Sequence, residues 1–357
     1  MAPDHRHHGR MTPLTPRPTM DDVARIAGVS KKTISRFINN SPDVSAAMRA
    51  RVEAAIAQLG FVPNAQARAL ALRRSFLVAL VHDGSDRGVR EAVETGMLRA
   101  MEGSELALVL LPLRRGGTAE LRAFLDRHAP AGVVLLPPLS ERGDLAAVCD
   151  AAGTRCIRLG HDGGDSAADG TARTAMADLV RWLLDNGHRR IGLIGGPEDS
   201  RAARQRELGY QDALASRGLN RGPWLVASGD NSFTSGMEAA CLLLELSPRP
   251  TAIVACNDEM AAGALAAAAG MGIAVPGALS VAGFDDTPLA TMTVPPLASV
   301  HVPWDRLGHD AVMRLAGAAS APSPETVAQA RPVLRASVAP IGEAARADLA
   351  AQAAIPR

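Results

Sequence analysis

Lys31 and Lys32 are the only lysines in the chain, and Arg36 follows Lys32 by four residues. On a helix that spacing puts Lys32 and Arg36 on one face. Cations at the start of a helix sit beside its unpaired backbone N–H groups, an arrangement that attracts phosphate. A guanidinium can also fork onto guanine O6 and N7. Thr33 and Ser35 are sized for phosphate contacts. A second set of polar residues follows short apolar runs: Asp83 and Ser85 after FLVALV, Asn257 and Asp258 after AIVAC, and Asp285 after LSVAGF. Trp304 lies a few residues beyond PPLASV. If the runs are parallel strands, these residues stand at the edge where ligands collect. Carboxylates and an amide serve paired hydroxyls, and an indole stacks on a C–H face, which is the chemistry of a polyhydroxylated ligand.

The first set needs a rigid helix to present it. Val23, Ile26 and Ala27 recur at helical spacing over Met20 to Ala27, and Gly28-Val29-Ser30 breaks the pattern. Ser30 can cap a second helix, Lys31 to Asn39, with Ile34, Phe37 and Ile38 inward. Ser45 caps a third, with Met48, Val52, Ile56 and Leu59 along one side and Gly60 as its stop. A small residue (Ala24), a turn glycine (Gly28) and a polar second helix are the parts of a helix-turn-helix. Residues 64–74 read as a helix too thinly apolar to stand alone. Charge is segregated accordingly. Residues 1–74 carry 12 Lys+Arg against 5 Asp+Glu, a net of +7, and residues 75–357 carry 26 against 32, a net of −6. A basic head suits a polyanion.

The second set needs sheets. After Ser75, eight apolar runs of strand length alternate with helical stretches: residues 76–81, 106–111, 132–137, 155–160, 190–196, 224–229, 252–256 and 279–284. Regular alternation argues parallel sheets with helices on both faces. More than 250 residues of it suggests two lobes.

The segment TMDDVARIAGVSKKTISRFINNSPDVSAAMRARVEAAIAQLGFVPNAQARAL resembles the DNA-binding head of the LacI–GalR repressor family almost end to end, through DVA-x-x-AGVS, T-I-S-R-x-I-N and LGF-x-PN-x-x-AR-x-L. The resemblance implies a lambda-repressor-like helix-turn-helix joined to a periplasmic-binding-protein-like (type I) α/β body of two parallel-sheet lobes. It implies that Lys31, Lys32 and Arg36 read bases and that Ser30, Thr33, Ser35 and Asn39 contact the DNA backbone. It also implies a hinge helix placing Asn64, Ala67 and Leu70 in the minor groove, with Leu70 as a wedge that bends the duplex. In the body, Arg206 in SRAARQRELGY resembles the family's S-x-x-R-x-x-G-[YFW] and adds a donor fork. Asn257-Asp258 and Asp285-Asp286 match the family's ND and G-[FY]-D-[DN] motifs. The first strand lacks the Asn-Pro-Phe-Phe continuation common in relatives, which leaves ligand identity open.

The expected layout is a tail over residues 1–18, a DNA-binding domain over 19–63, a hinge over 64–74, a two-lobed effector and dimerisation domain over 75–343, and a tail over 344–357. The expected partners are a palindromic operator duplex, a small-molecule effector of sugar type, and a second copy of the chain. A dimer is favoured over a tetramer because GEAARADLAAQAAIPR has no Leu heptads. An enzyme lacks its parts: GLIGGPEDS has neither a phosphate-binding Lys-Ser/Thr nor a dinucleotide fingerprint, and GxSxG is absent. No cofactor, metal or membrane partner is expected. Cys149, Cys156, Cys241 and Cys256 read as reduced thiols, and His5, His7 and His8 lack acidic or Cys partners. No apolar stretch reaches the ~18 residues of a membrane span, and the cytoplasm is the expected compartment. Two alternatives stay open, a purine or other non-sugar effector and a transport-type binding protein.

Overall fold

The computed structural model describes residues 18–38, 41–61, 75–113, 117–160, 167–219, 225–317 and 330–342. The chain divides into two compact units, residues 1–74 and 75–357. The described part of the first unit is three helices, α1 (Met20–Ala27), α2 (Lys31–Ile38) and α3 (Ala46–Leu59). Thr19 starts α1 through a capping box with Asp22, and Gly28 ends it at φ 61°. Ser30 Oγ accepts from Thr33 N at 3.1 Å, and Ser45 Oγ accepts from Met48 N at 3.3 Å. Val23, Ala24, Ala27, Ile34, Val52, Ala55 and Phe61 form the core. Two positions expected inside lie outside: Ile26 and Met48 are 38% and 42% exposed. The small residues Ala24 and Ala55 take their place, which lets the three short helices approach closely. Arg51 of α3 donates to the carbonyls of Ala27 (2.6 Å) and Gly28 (3.2 Å), covering the unpaired C-terminal end of α1.

The second unit holds two sheets. Strands β1 (Leu77–His82), β2 (Ala107–Pro112), β3 (Gly132–Leu135) and β4 (Cys156–Arg158) make a parallel sheet in the order β2-β1-β3-β4. Period-two alternation serves both faces. Val78, Leu80 and Val134 pack under α4 (Arg87–Met101) and α12 (Trp304–Leu315). Ala79, Val81, Val133 and Leu135 pack under α5 (Thr118–His128) and α6 (Gly143–Ala151). Helices α4 and α12 touch at glycines. A Cβ on Gly96 would lie 1.7 Å from the Asp305 carbonyl oxygen, and one on Gly308 would lie 2.4 Å from that of Val93.

The second lobe begins with α7 (Ala167–Asp185), β5 (Ile191–Gly195), α8 (Arg201–Ala215), β6 (Val226–Ser228), α9 (Phe233–Leu244), β7 (Ala252–Ala255), α10 (Asp258–Gly270), β8 (Ser280–Asp285) and α11 (Pro288–Met292). β9 (Ala298–His301) and β10 (Arg331–Val333) complete a sheet of order β10-β9-β8-β7-β5-β6. All neighbours are parallel except β10 with β9. The eight apolar runs are the sites of β1 to β8; β9 and β10 were not anticipated. β10 is three residues long with Pro332 at its centre, which an edge strand tolerates because one side of it needs no ladder donor. The chain returns to the first lobe after β9, builds α12 there, and re-enters the second lobe at β10. Among the described residues no helix is long and apolar enough to cross a membrane.

Candidate ligand cavity and nucleic-acid interface

Helix α2 presents Lys31, Lys32 and Arg36 to solvent while Ile34 anchors its other side in the core. Lys31 Nζ lies 2.8 Å from Asp21 of α1, an exposed pair that a polyanion could outcompete. Ser30 and Thr33 share a 2.9 Å hydroxyl contact at the helix start, and Ser35 is half-buried. Asn39 and the hinge positions Asn64, Ala67 and Leu70 lie outside the described residues. The surface therefore offers two cations at the start of α2 and a third, Arg36, in its last turn, with short hydroxyl side chains beside them, as phosphate and base-edge contact requires.

Between the two sheets of the second unit lies a cavity of roughly 120 Å³, many times the ~10–15 Å³ that houses one water. Asp285 is its chemical centre. The residue ends β8 at φ 95° and is almost wholly buried. Its carboxylate accepts from Arg206 Nη2 at 2.9 Å, Arg206 Nη1 at 3.2 Å and Trp304 Nε1 at 3.2 Å. Arg206, from α8, also donates to the Cys256 carbonyl and lies over the Phe284 ring at 4.0 Å. Burial pushes the Asp285 carboxyl above the usual carboxylate range, and Arg206 and Trp304 pull it back only in part. Arg206 Nε has no hydrogen-bond partner, although it is buried.

The first lobe supplies the opposite wall. Ser85, Asp86 and Val89 come from the start of α4, and Pro137, Pro138 and Glu141 come from the turn after β3. Asp86 caps α4, accepting from Val89 N at 3.2 Å, at an unusual φ of 44°. Burial, and then the charge on Asp285, push its carboxyl up to about 7. Glu141 reaches across to the second lobe and accepts from the backbone N–H groups of Arg201 (2.8 Å) and Ala202 (3.0 Å) at the start of α8. The lobes also meet at Gly88, where a Cβ would lie 2.6 Å from Thr287 Cβ.

Of the residues expected at a ligand site, Ser85, Arg206, Asp285 and Trp304 come together on this cavity. Asp83, Asn257 and Asp258 stand outside its lining. Asp83 closes a local turn, accepting from Ser85 N (2.9 Å) and Oγ (2.6 Å). Asn257 caps α10 through Met260 N at 2.9 Å and donates to the Asn231 carbonyl at 2.9 Å, so it positions the loop whose Asn231 does line the cavity. Asp258 is buried with its oxygens on Thr287 N (2.7 Å), Thr287 Oγ1 (2.9 Å) and Ser299 Oγ (2.6 Å). Its carboxyl is pushed up to about 7, first by burial. That carboxylate ties β7, β9 and the loop after β8 together. Asp86, Glu141 and Gln205 also line the cavity, beyond the residues expected there. Asp86 follows Ser85 in a polar run at a strand end, so a signal existed; Glu141 sits beyond a Pro-Pro turn and gives none. Among the described residues no group of three His, Cys, Asp or Glu side chains could hold a metal ion.

A helical head with a polar second helix, and a separate two-lobed α/β body enclosing a polar cavity, define a ligand-responsive DNA-binding regulator. Residues 19–64 match the family model for bacterial regulatory proteins of the lacI family, and residues 180–338 match that for a periplasmic binding protein-like domain. The HTH-type transcriptional regulator CelR of Thermobifida fusca is 35% identical over 309 residues, covering 82% of this chain and 89% of that protein. A solved CelR–cellobiose complex matches with a TM-score of 0.62 at 31% identity, over 90% of this chain and all of that one. The crystal structure of the lac repressor dimer bound to operator and the anti-inducer ONPF matches with a TM-score of 0.72 at 26% identity, over 91% of this chain and all of that one. The chain belongs to the LacI family of transcriptional regulators.

Proposed function

We propose that the chain is a cytoplasmic, non-catalytic repressor that binds a palindromic operator as a homodimer, and that a sugar held between its lobes controls its affinity for DNA. The observation that carries this reading is the Asp285 carboxylate, held by the Arg206 fork and the Trp304 indole at the wall of a cavity with polar groups on both lobes. Carboxylate, guanidinium, amide and indole together match the paired hydroxyls and C–H faces of a sugar ring. CelR was solved with cellobiose, and the lac repressor dimer with operator and ONPF; both support the same pairing of ligands here. Lys31, Lys32 and Arg36 are the base-reading residues, with Ser30, Thr33 and Ser35 on the backbone. The test has two stages. Selection from a random duplex library with the full chain is expected to yield a palindromic site. Anisotropy titration of that site, with and without each of a panel of sugars, is expected to show a shift of roughly 5–150-fold with one of them. Recovery of no preferred site, or an affinity that no sugar alters, would end the proposal.

A further inference from the structure

Among the described residues four ionisable side chains line the cavity: Asp86, Glu141, Arg206 and Asp285. Three are carboxyls and one is a cation. The cation is already committed, since both Arg206 terminal nitrogens face Asp285, one of them also serves the Cys256 carbonyl, and its flat face covers Phe284. Nε has no partner but is itself buried, so the guanidinium offers a ligand no exposed, uncommitted donor. The other device that draws anions into such a site is a helix start, and α8 points one at the cavity. That end is closed from the opposite lobe. Glu141 takes the N–H groups of Arg201 and Ala202, and the Ser200 hydroxyl takes that of Ala203 at 3.2 Å. Neither Arg201 nor Arg204, the other cations of the first turn of α8, lines the cavity.

We propose that the cavity admits sugars that are uncharged or carry an amine and turns away phosphorylated and carboxylated sugars, with Glu141 the residue that enforces the difference. The proposal rests on the sugar reading above and narrows it. A ligand phosphate or carboxylate meets three carboxyl groups and a neutralised guanidinium, and it finds the helix start taken by a carboxylate of the protein itself. A hydroxyl meets none of these penalties, because it is uncharged and donates to Asp285 or Asp86. An ammonium gains from the same carboxyls. Asp86 belongs to the same cluster of carboxyls: burial first, and then the charge on Asp285, push its carboxyl up to about 7. Glu141 has a second effect, since its two hydrogen bonds tie the first lobe to the helix that carries Arg206.

Calorimetric titration of the full chain at low salt provides the test. The probes are matched series: glucose with glucosamine, glucuronate and glucose 6-phosphate; galactose with galactosamine and galacturonate; and cellobiose with cellobionate. The tightest ligand is expected to be neutral or amine-bearing, with its acidic counterpart weaker by about tenfold or more. In E141Q that ratio is expected to shrink by about tenfold, and in E141D, which keeps the charge, to stay near the wild-type value. Thermal melting of each variant reports its fold. An acidic sugar that binds as tightly as its neutral counterpart overturns the charge rule and leaves the sugar reading standing. A ratio unchanged in a folded E141Q overturns the role of Glu141. If no series yields a ligand while the chain still binds its operator, the sugar reading fails and this proposal with it.

Discussion

Removing Arg206 tests whether Asp285 depends on it. The Arg206 side chain is 11% exposed and that of Asp285 1%, so the pair is largely withdrawn from bulk water. Arg206→Met removes both N–H···O contacts, at 2.9 and 3.2 Å, and leaves Asp285 with the Trp304 indole. Breaking a buried pair by deleting one member costs about 3–5 kcal/mol, because a charge is stranded. That is a large share of the ~5–15 kcal/mol by which a domain is stable. Substituting Asp285→Asn as well removes the stranded charge, so R206M/D285N is expected to be more stable than R206M alone. The pH dependence has a definite sign. Burial already raises the Asp285 carboxyl, and without the guanidinium that pulls it down it rises further. A carboxyl raised on folding binds its proton in the folded state first, so R206M is expected to recover stability as pH falls. Urea unfolding of the full chain, followed by circular dichroism between pH 5 and pH 8, measures all three effects. Destabilisation below about 1 kcal/mol in R206M, or single effects that simply add in the double variant, would refute the reasoning.

Three further outcomes are expected. Lys32→Ala and Arg36→Ala each cost roughly 1–3 kcal/mol of operator binding and relax the base preference at one position; binding to a library of operator variants checks this, and an unchanged preference rejects the assignment. Gly96→Ala places a methyl inside the contact with the Asp305 carbonyl, so α4 and α12 must separate at a cost of about 1–3 kcal/mol, read as a lowered thermal midpoint. The Asp258 carboxyl is raised to about 7 on folding. Its folded form therefore binds more protons than the unfolded chain between about pH 4 and pH 7, and stability falls as pH rises through that window. Asp258→Asn removes this share of the slope, which stability curves at a series of pH values will show.

The head was legible in the sequence because its signals are local. Ser30, Ser45, Gly28 and Gly60 act on their own turns, and each does what its residue type suggests. Strands β1 to β8 were legible because each is an apolar run between turns. β10 was not, since three residues around a proline have no strand pattern and take their pairing from β9. The cavity was half legible, for a reason visible in Asn257 and Asp258. Both lie at a strand end, where ligand groups gather, yet both side chains turn inward: Asn257 caps α10 and Asp258 holds Thr287 and Ser299. Strand-end position fixes where a residue sits, and local donors decide where its oxygens point. Glu141 was invisible for the converse reason. Its partners are backbone N–H groups about 60 positions away, and no spacing rule reaches that far.

Several polar groups around the cavity also join the two lobes. Trp304 starts α12 of the first lobe and donates to Asp285 of the second. Glu141 of the first lobe holds the start of α8. Arg87 N of α4 donates to Glu259 of α10 at 3.3 Å, and Asn257 Nδ2 lies 3.5 Å from Asp86. A ligand hydroxyl that takes the place of the indole at Asp285 therefore alters a bond between lobes, and its binding free energy includes the cost or gain of moving one lobe against the other. If lobe angle also governs operator affinity, effector and operator share one equilibrium and must change each other's affinity by the same factor. The sign depends on whether the ligand's bonds span the lobes better or worse than those it displaces. Asp285→Asn and Glu141→Gln are then expected to change the size of the response as well as ligand affinity. A ligand whose bonds all fall within one lobe, with no preference for either lobe angle, would leave operator affinity unmoved however tightly it bound.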